Sequence, residues 1–305
     1  MPPGLRVMAG VAVEREAQNL IKPYQGMVAW PSALLGLAVI LSFALICTLA
    51  VLGEIPLWLG LVLNTFVLYV CQTPLHEACH GNIAGRASSL MWLNHTIGFL
   101  CGVILLHEYK AFRAMHLMHH RDTNDTDADP DHWVKSTNPL SVLLRCLTIF
   151  AYYNHFFFQH VAFKTEVPGN KKTAMHVIAV YWVLYSVMFW LVMFGYWREL
   201  LALWVVPHVL ASALIVFFFA YVTHQPHETN ERYRDTNVFV VRGPFERLVN
   251  WLYCFQNYHL IHHLFPRIPF YLYPQAFDDL RPVLEREKAH IYELGETDRT
   301  SVTAP

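Results

Sequence analysis

Four stretches of this chain are so long and so apolar that only a membrane interior suits them, and that limits the fold more than any other feature. Pro31 to Leu52 is almost purely apolar, enough at about 1.5 Å per helical residue to cross ~30 Å of hydrocarbon. Glu54 and Pro56 interrupt it, and a second run from Leu57 to Cys71 continues toward Pro74 and ends directly before His76. A second pair, Met175 to Phe194 and Leu200 to Tyr221, is joined by a short polar turn at Gly195 to Glu199. Only 15% of the residues are charged, against about a quarter in a soluble domain. Within lipid, backbone N–H and C=O groups must be satisfied inside their own segment, so runs like these predict helices. The expected fold is an all-α integral membrane protein with four transmembrane helices, a single domain over residues 1–305.

The remaining stretches fit around those spans. Leu90 to Leu106 is apolar but interrupted by Asn94, His95 and Thr96 and by Gly98 and Gly102; it is short for a span and reads as interfacial or re-entrant. Glu108 to Asn138 is polar, and Leu140 to Phe163 mixes many aromatic residues with Arg145, Asn154, His155, Gln159 and His160, the composition of a helix lying at the interface. Residues 1–29 read as a cytoplasmic segment and 295–305 as a flexible tail. Four spans put residues 76–173, the part after 223 and the N-terminus on one side. Arg86, Lys110, Arg113, Arg121, Lys135, Lys164, Lys171 and Lys172 lie there and Arg198 opposite, so that side is expected to be cytoplasmic, at the inner or plasma membrane if the source is bacterial. The six cysteines form no C-x-x-C pair and read as small buried hydrophobes in a reducing compartment. No removable signal peptide is evident, and a net charge of −1 gives no sign of a nucleic-acid partner.

Against this background the histidines are unevenly placed. Asn257-Tyr258-His259-Leu260-Ile261-His262-His263 carries three at i, i+3 and i+4, which on a helix stacks the imidazoles over one turn of one face. The same H-x-x-H-H pattern recurs at His116, His119 and His120, and His76 and His80 form an i, i+4 pair. Eight neutral imidazoles are about enough to hold two metal ions. Histidines placed for structure do not account for two identical boxes far apart in the chain on one side of a membrane, whereas the isolated His95, His107, His132, His155, His160, His176, His208 and His290 do read as structural. Either His224 or His227, at the end of the fourth span, could complete the ligand set. Asp122, Asp125, Asp127, Asp129 and Asp131 crowd the loop after the second box; they are a solvated loop or, in part, acceptors for free imidazole N–H groups. Pro266 and Pro269 stop the ligand helix after His263. One rival uses fewer of these residues: His76-Glu77-Ala78-Cys79-His80 matches H-E-x-x-H, in which two histidines hold zinc and the glutamate is a general base. A membrane zinc protease leaves both H-x-x-H-H boxes unexplained.

The boxes resemble those of the membrane fatty-acid desaturase and hydroxylase superfamily. Leu75-His76-Glu77-Ala78-Cys79-His80-Gly81, then His116-Leu117-Met118-His119-His120 with Thr123-Asn124-Asp125 and Asp129-Pro130-Asp131-His132, are similar to desaturase-like β-carotene hydroxylases. So is Gln256-Asn257-Tyr258-His259-Leu260-Ile261-His262-His263-Leu264-Phe265-Pro266-Arg267-Ile268-Pro269-Phe270, although acyl-lipid desaturases share much of it. The resemblance runs from about residue 60 to 278. It implies four membrane helices under a cytoplasmic helical cap, two iron ions, dioxygen and an external electron donor, ferredoxin- or cytochrome-like. It also implies that a histidine at the end of the fourth span ligates metal, the place His224 occupies. Glu77 stands where an aspartate is expected in carotenoid hydroxylases, a departure that bears on the substrate and not on the metal site.

The expected chemistry is dioxygen-dependent oxidation of a C–H bond in an apolar lipid. A β-carotene-type ring hydroxylase is the first reading, a fatty-acyl desaturase the alternative and the zinc protease the third. The ligands alone do not choose between hydroxylation and desaturation. No haem, flavin or iron–sulfur motif is apparent, so electrons are expected from a separate protein.

Overall fold

The computed structural model describes residues 3–162 and 170–295, with side chains from residue 11 onward; Lys164, Phe163 and the tail expected beyond Gly295 lie outside the described residues. After α1 (Pro3–Ile21), the first hairpin is α2 (Trp30–Val51) and α3 (Leu57–His80). Leu34, Leu37, Leu41 and Leu45 are exposed along one stripe of α2, while Ser32, Ala33, Gly36 and Val39 are buried, as expected of a helix with one face in lipid. The helix α3 runs through Pro74 and on to His80, well past the end of its apolar run at Cys71. His76 and His80 thus ride on the last turns of a span. Gly81 then ends it in the left-handed conformation, φ 75°, which a residue without a Cβ adopts at no cost.

The stretch at 90–106 does not cross. α4 (Met91–Ile104) and α5 (Tyr109–Arg121) are joined by a bend of 100°. Both arms of this pair reach the end of α3: Asn94 Nδ2 donates to Ala78 O at 2.9 Å, and His116 Nε2 lies 2.8 Å from His80 Nε2. The pair is therefore re-entrant. Gly102 makes the bend possible, since a Cβ there would sit 2.6 Å from His107 O and 3.1 Å from Tyr109 N. Glu108 closes the turn by capping α5, its Oε2 accepting from Ala111 N at 2.8 Å.

The expected interfacial helix is two: α6 (Pro139–Leu147) and α7 (Ile149–Phe156), the latter continuing as a π-helical turn over Phe157–Ala162. The break falls at Thr148, whose Oγ1 donates back to Leu144 O, the local competition that bends helices at Ser and Thr. The second hairpin is α8 (Asn170–Met193) and α9 (Trp197–Val222), completing the four helices long and apolar enough to cross a membrane. In α9 the segments Leu201–Val205 and Phe217–Val222 are π-helical. The first loosens the helix just before Pro207 and lets the buried Asn64 of α3 donate to Leu203 O at 2.8 Å. Trp204 Nε1 donates to Ile104 O at the end of α4.

The polar part after Thr223 folds back as a cap: β1 (Asn237–Val241), α10 (Glu246–Leu252), α11 (His259–Leu264), α12 (Tyr273–Arg286) and β2 (His290–Leu294). The nearly all-α expectation has one correction. The two strands pair in parallel, Asn237 opposite His290 through Val241 opposite Leu294, and bury Val238 and Val240. The run Asn237-Val238-Phe239-Val240-Val241 carries the β-branched alternation of a strand. The N-terminal segment belongs to the cap as well. Ala17 and Ile21 of α1 share a core with Tyr258, Ile261, Phe277 and Leu280, and Glu14 pairs with Arg232 at 2.9 Å.

Replacing Gly102 by alanine is expected to destabilise the fold by about 1–3 kcal/mol through overpacking against backbone atoms, read as a lowered Tm of the detergent-solubilised protein. An unchanged Tm would show that the α4–α5 bend relaxes freely.

Candidate metal centre

The three histidine boxes meet under the cap, but not one box to one site. His76, His80, His116, His120 and His262 form one group, and His119, His224, His259 and His263 another; within each, one ring nitrogen per residue lies within 4.8 Å of the others. The division follows from helix geometry. At about 100° per residue, positions i and i+4 lie about 40° apart while i+3 lies about 60° to the other side. His116 and His120 therefore point to the first group and His119 to the second, whereas His259 and His263 point to the second and His262 to the first. Each H-x-x-H-H box gives a pair to one group and a single imidazole to the other, so the sequence-based picture of three rings on one face is corrected.

The outward nitrogens are anchored. His119 Nδ1–H donates to Asp129 Oδ1 at 2.7 Å and His259 Nδ1–H to Gln256 Oε1 at 2.8 Å, while His262 Nδ1 lies 3.0 Å from the Tyr273 hydroxyl. His263 Nδ1 lies 3.3 Å from Thr123 Oγ1 and 3.8 Å from Asp235 Oδ2. With Nδ1 holding the proton, Nε2 presents a lone pair to the centre. There the lone pairs crowd: His263 Nε2 is 3.2 Å from His119 Nε2 and 3.1 Å from His259 Nε2, and His259 Nε2 is 3.0 Å from His224 Nε2. One N–H on His263 can serve only one neighbour, whereas a cation at the middle accepts from all. In the first group His116 Nε2 lies 2.8 Å from His80 Nε2 and 3.1 Å from His120 Nε2, and His262 Nε2 has no hydrogen-bond partner among the described residues. Burial holds the imidazoles of His224, His259, His262 and His263 well below their ordinary range, which keeps them neutral and free to ligate. Burial likewise pushes the Asp235 carboxyl up to about 6.

Comparison with known proteins agrees with this geometry. Residues 53–295 match the family described as fatty acid desaturase. The chain belongs to the fatty acid desaturase family. It is 28% identical over 244 residues to a fatty acid conjugase of Calendula officinalis, a match covering 68% of this chain and 63% of the conjugase. The chain thus spans under two thirds of that relative's length. It is 25% identical over 287 residues to a fatty acid desaturase of Bacillus subtilis (strain 168), covering 87% of this chain and 75% of the relative. An sn-2 acyl-lipid omega-3 desaturase (ferredoxin) of Helianthus annuus is 24% identical over 235 residues, 68% of this chain and 52% of that one.

Within this desaturase-family site every histidine singled out from the boxes is gathered in, and of the two candidates at the end of the fourth span only His224 joins. His227 sits at φ 60°, and its Nε2–H donates to Tyr221 O at 3.0 Å. Of the five aspartates, Asp129 is the acceptor for an imidazole. Asp131 takes the Tyr153 hydroxyl, Asp125 caps its own loop through Asp127 N and Ala128 N, and Asp122 pairs with Arg121. Glu77 does not face the histidines as a base would. Its Oε2 accepts from Ser32 Oγ and its Oε1 from Asn82 Nδ2, both at 2.9 Å, which removes the basis of the zinc-protease reading. The anchors Gln256 and Tyr273 were not singled out. Gln256 stands in the third box itself, whereas nothing near Tyr273 in the sequence marks it.

An apolar cavity lies on the membrane side of both groups. Thr73, Phe112, Met115, Ile215, Val216 and Phe219 wall it, and His76, His116, His119 and His259 stand at its rim.

Asp129 also accepts from Asn124 N at 2.7 Å and Asp131 N at 2.8 Å. Asp129→Ala strands three donors and is expected to destabilise the protein by about 1–3 kcal/mol. The exposed Asp125→Ala serves as control; equal Tm losses would show that Asp129 has no special place in the fold.

Proposed function

We propose that the chain is a dioxygen-dependent di-iron oxidoreductase that desaturates the acyl chain of a membrane lipid. The observation that carries the reading is the pair of histidine groups with converging lone pairs, rimming an apolar cavity within the spans. His76, His80, His116, His120 and His262 would hold one iron and His119, His224, His259 and His263 the other. Imidazole sites with room for a further ligand suit iron that must meet dioxygen, and bound iron supplies the oxidising power to take hydrogen from an unactivated C–H bond. In the overall change a –CH2–CH2– unit, dioxygen, two electrons and two protons give –CH=CH– and two waters.

The protein's own part is positional. Asp129, Gln256 and Tyr273 fix the imidazole rings through Nδ1, which holds both metal positions rigidly relative to the cavity. The cavity wall from α3, α5 and α9 holds a chain with one methylene pair toward the histidines and keeps water out. The relatives are named for fatty-acid desaturation and conjugation, and this supports the acyl chain over the carotenoid ring as substrate. The printed name of the Helianthus relative includes ferredoxin, in keeping with an external donor here. The cap is assigned to the cytoplasm, since Arg86, Arg113 and Arg121 lie toward its side of the spans and Arg198 in the opposite turn.

Purified protein is expected to carry two irons per chain by elemental analysis. His262→Ala and His259→Ala should each lose close to one, and Asp129→Asn should weaken iron binding about 10–100-fold. Supplied with a reduced ferredoxin and air, the protein should give lipids lacking two hydrogens by mass spectrometry. Oxygen gained at constant unsaturation would replace desaturation by hydroxylation, and a single zinc would overturn the reading.

A further inference from the structure

His107 reads from the sequence as an isolated structural histidine, yet it stands at the apex of the re-entrant α4–α5 pair among other polar groups. It is buried, with Nε2 3.5 Å from Ser212 Oγ, which in turn lies 3.4 Å from His208 Nδ1. His107 Nδ1 has no hydrogen-bond partner among the described residues. Glu108, next in the chain, is buried, and its Oε1 lies 3.3 Å from His176 Nε2. Ser212 and His208 sit on the fourth span, about 15–20 Å from its end at Val222 by helical rise. Polar groups at such depth are costly in a bilayer and mark function.

The place of this cluster relative to the cavity gives it a task. His107, Phe112, Met115 and Tyr153 line the cavity beside the histidine groups, and the same four line a smaller one that continues to Glu108, Asn154 and Tyr181. An apolar path therefore leaves the metal centre and ends against polar atoms. A hydrocarbon end lodged there would displace any water from His107 Nδ1 and leave that nitrogen without a partner, a cost that an oxygen atom on the ligand removes. Because Ser212 can donate to or accept from Nε2, His107 Nδ1 can be donor or acceptor to suit.

We propose that His107, positioned by Ser212, is a specificity-determining residue that binds a hydroxyl oxygen on the hydrocarbon part of the lipid, remote from the carbons facing the metals. The inference rests on the cavity being the lipid site. The enzyme then selects a lipid already bearing an oxygen function, so an oxygenating reaction must supply its substrate.

The test is a binding measurement without turnover. Methyl stearate and a series of its positional hydroxy derivatives, from mid-chain to the terminal carbon, displace a fluorescent polyene fatty ester from the full-length protein in detergent. At least one hydroxy isomer is expected to bind about tenfold tighter than methyl stearate, the scale of one hydrogen bond in an apolar site. In Ser212→Ala and in His107→Leu the advantage should fall below twofold, with methyl stearate binding no weaker than to the unaltered protein and Tm retained. Ser212→Ala, which removes one hydroxyl, carries the test if His107→Leu does not fold. No isomer binding tighter, or an advantage that survives Ser212→Ala, overturns the inference and leaves the pole to a bound water. If methyl stearate itself fails to displace the probe, the lipid-cavity reading falls, and this inference with it.

Discussion

The cap is organised by an electrostatic problem: nine imidazoles share a small volume, and those with fixed tautomers turn lone pairs toward one another. His119 and His259 are anchored through Nδ1 by Asp129 and Gln256, so as neutral imidazoles they turn acceptor nitrogens inward. Such an arrangement is repulsive until positive charge enters it. It is held only because the anchors belong to separately folded pieces: Asp129 to the loop after α5, Gln256 and Tyr273 to the cap. The second hydrophobic core, built by α1, α11 and α12, packs Tyr273 against the third box. Burial in that core is the source of the energy that keeps the rings crowded.

The crossing of the boxes adds a constraint. Since each H-x-x-H-H helix serves both groups, neither group can be displaced without the other. The spacing between the two histidine groups is set by the approach of α5 to α11. Direct contacts between the helices' own ligands, such as His119 with His263, fix that approach. Reactions that draw on both metals at once need such a fixed separation.

Much of this was legible in the sequence because the signals are physical extremes. Apolar runs without charge mark the spans, and repeated histidine spacing marks the imidazoles that the fold gathers. The re-entrant pair was legible as an alternative, since Gly98 and Gly102 interrupt a run too short to cross. What escaped depended on contacts between distant residues. No local pattern announces that Tyr273 meets His262, that Asn64 donates to Leu203, or that His107, Ser212 and His208 converge. The strand at 237–241 escaped for another reason: its alternation is visible, but its partner at 290–294 lies far along the chain. Glu77 is the opposite case, a match to a protease motif whose carboxylate accepts from Ser32 and Asn82.

The parallel pairing of β1 with β2 also orders events in time. Synthesis delivers the four spans and the first two histidine boxes well before residues 290–294 emerge. The third box cannot be clamped until β2 docks beside β1 and α12 settles on α1. Through that interval the half-built centre stays open on its aqueous side. In the finished fold His119, His224, His259 and His263 are all buried whereas His80 and His120 keep some exposure, so closing of the cap restricts the approach of an ion to the second group far more than to the first.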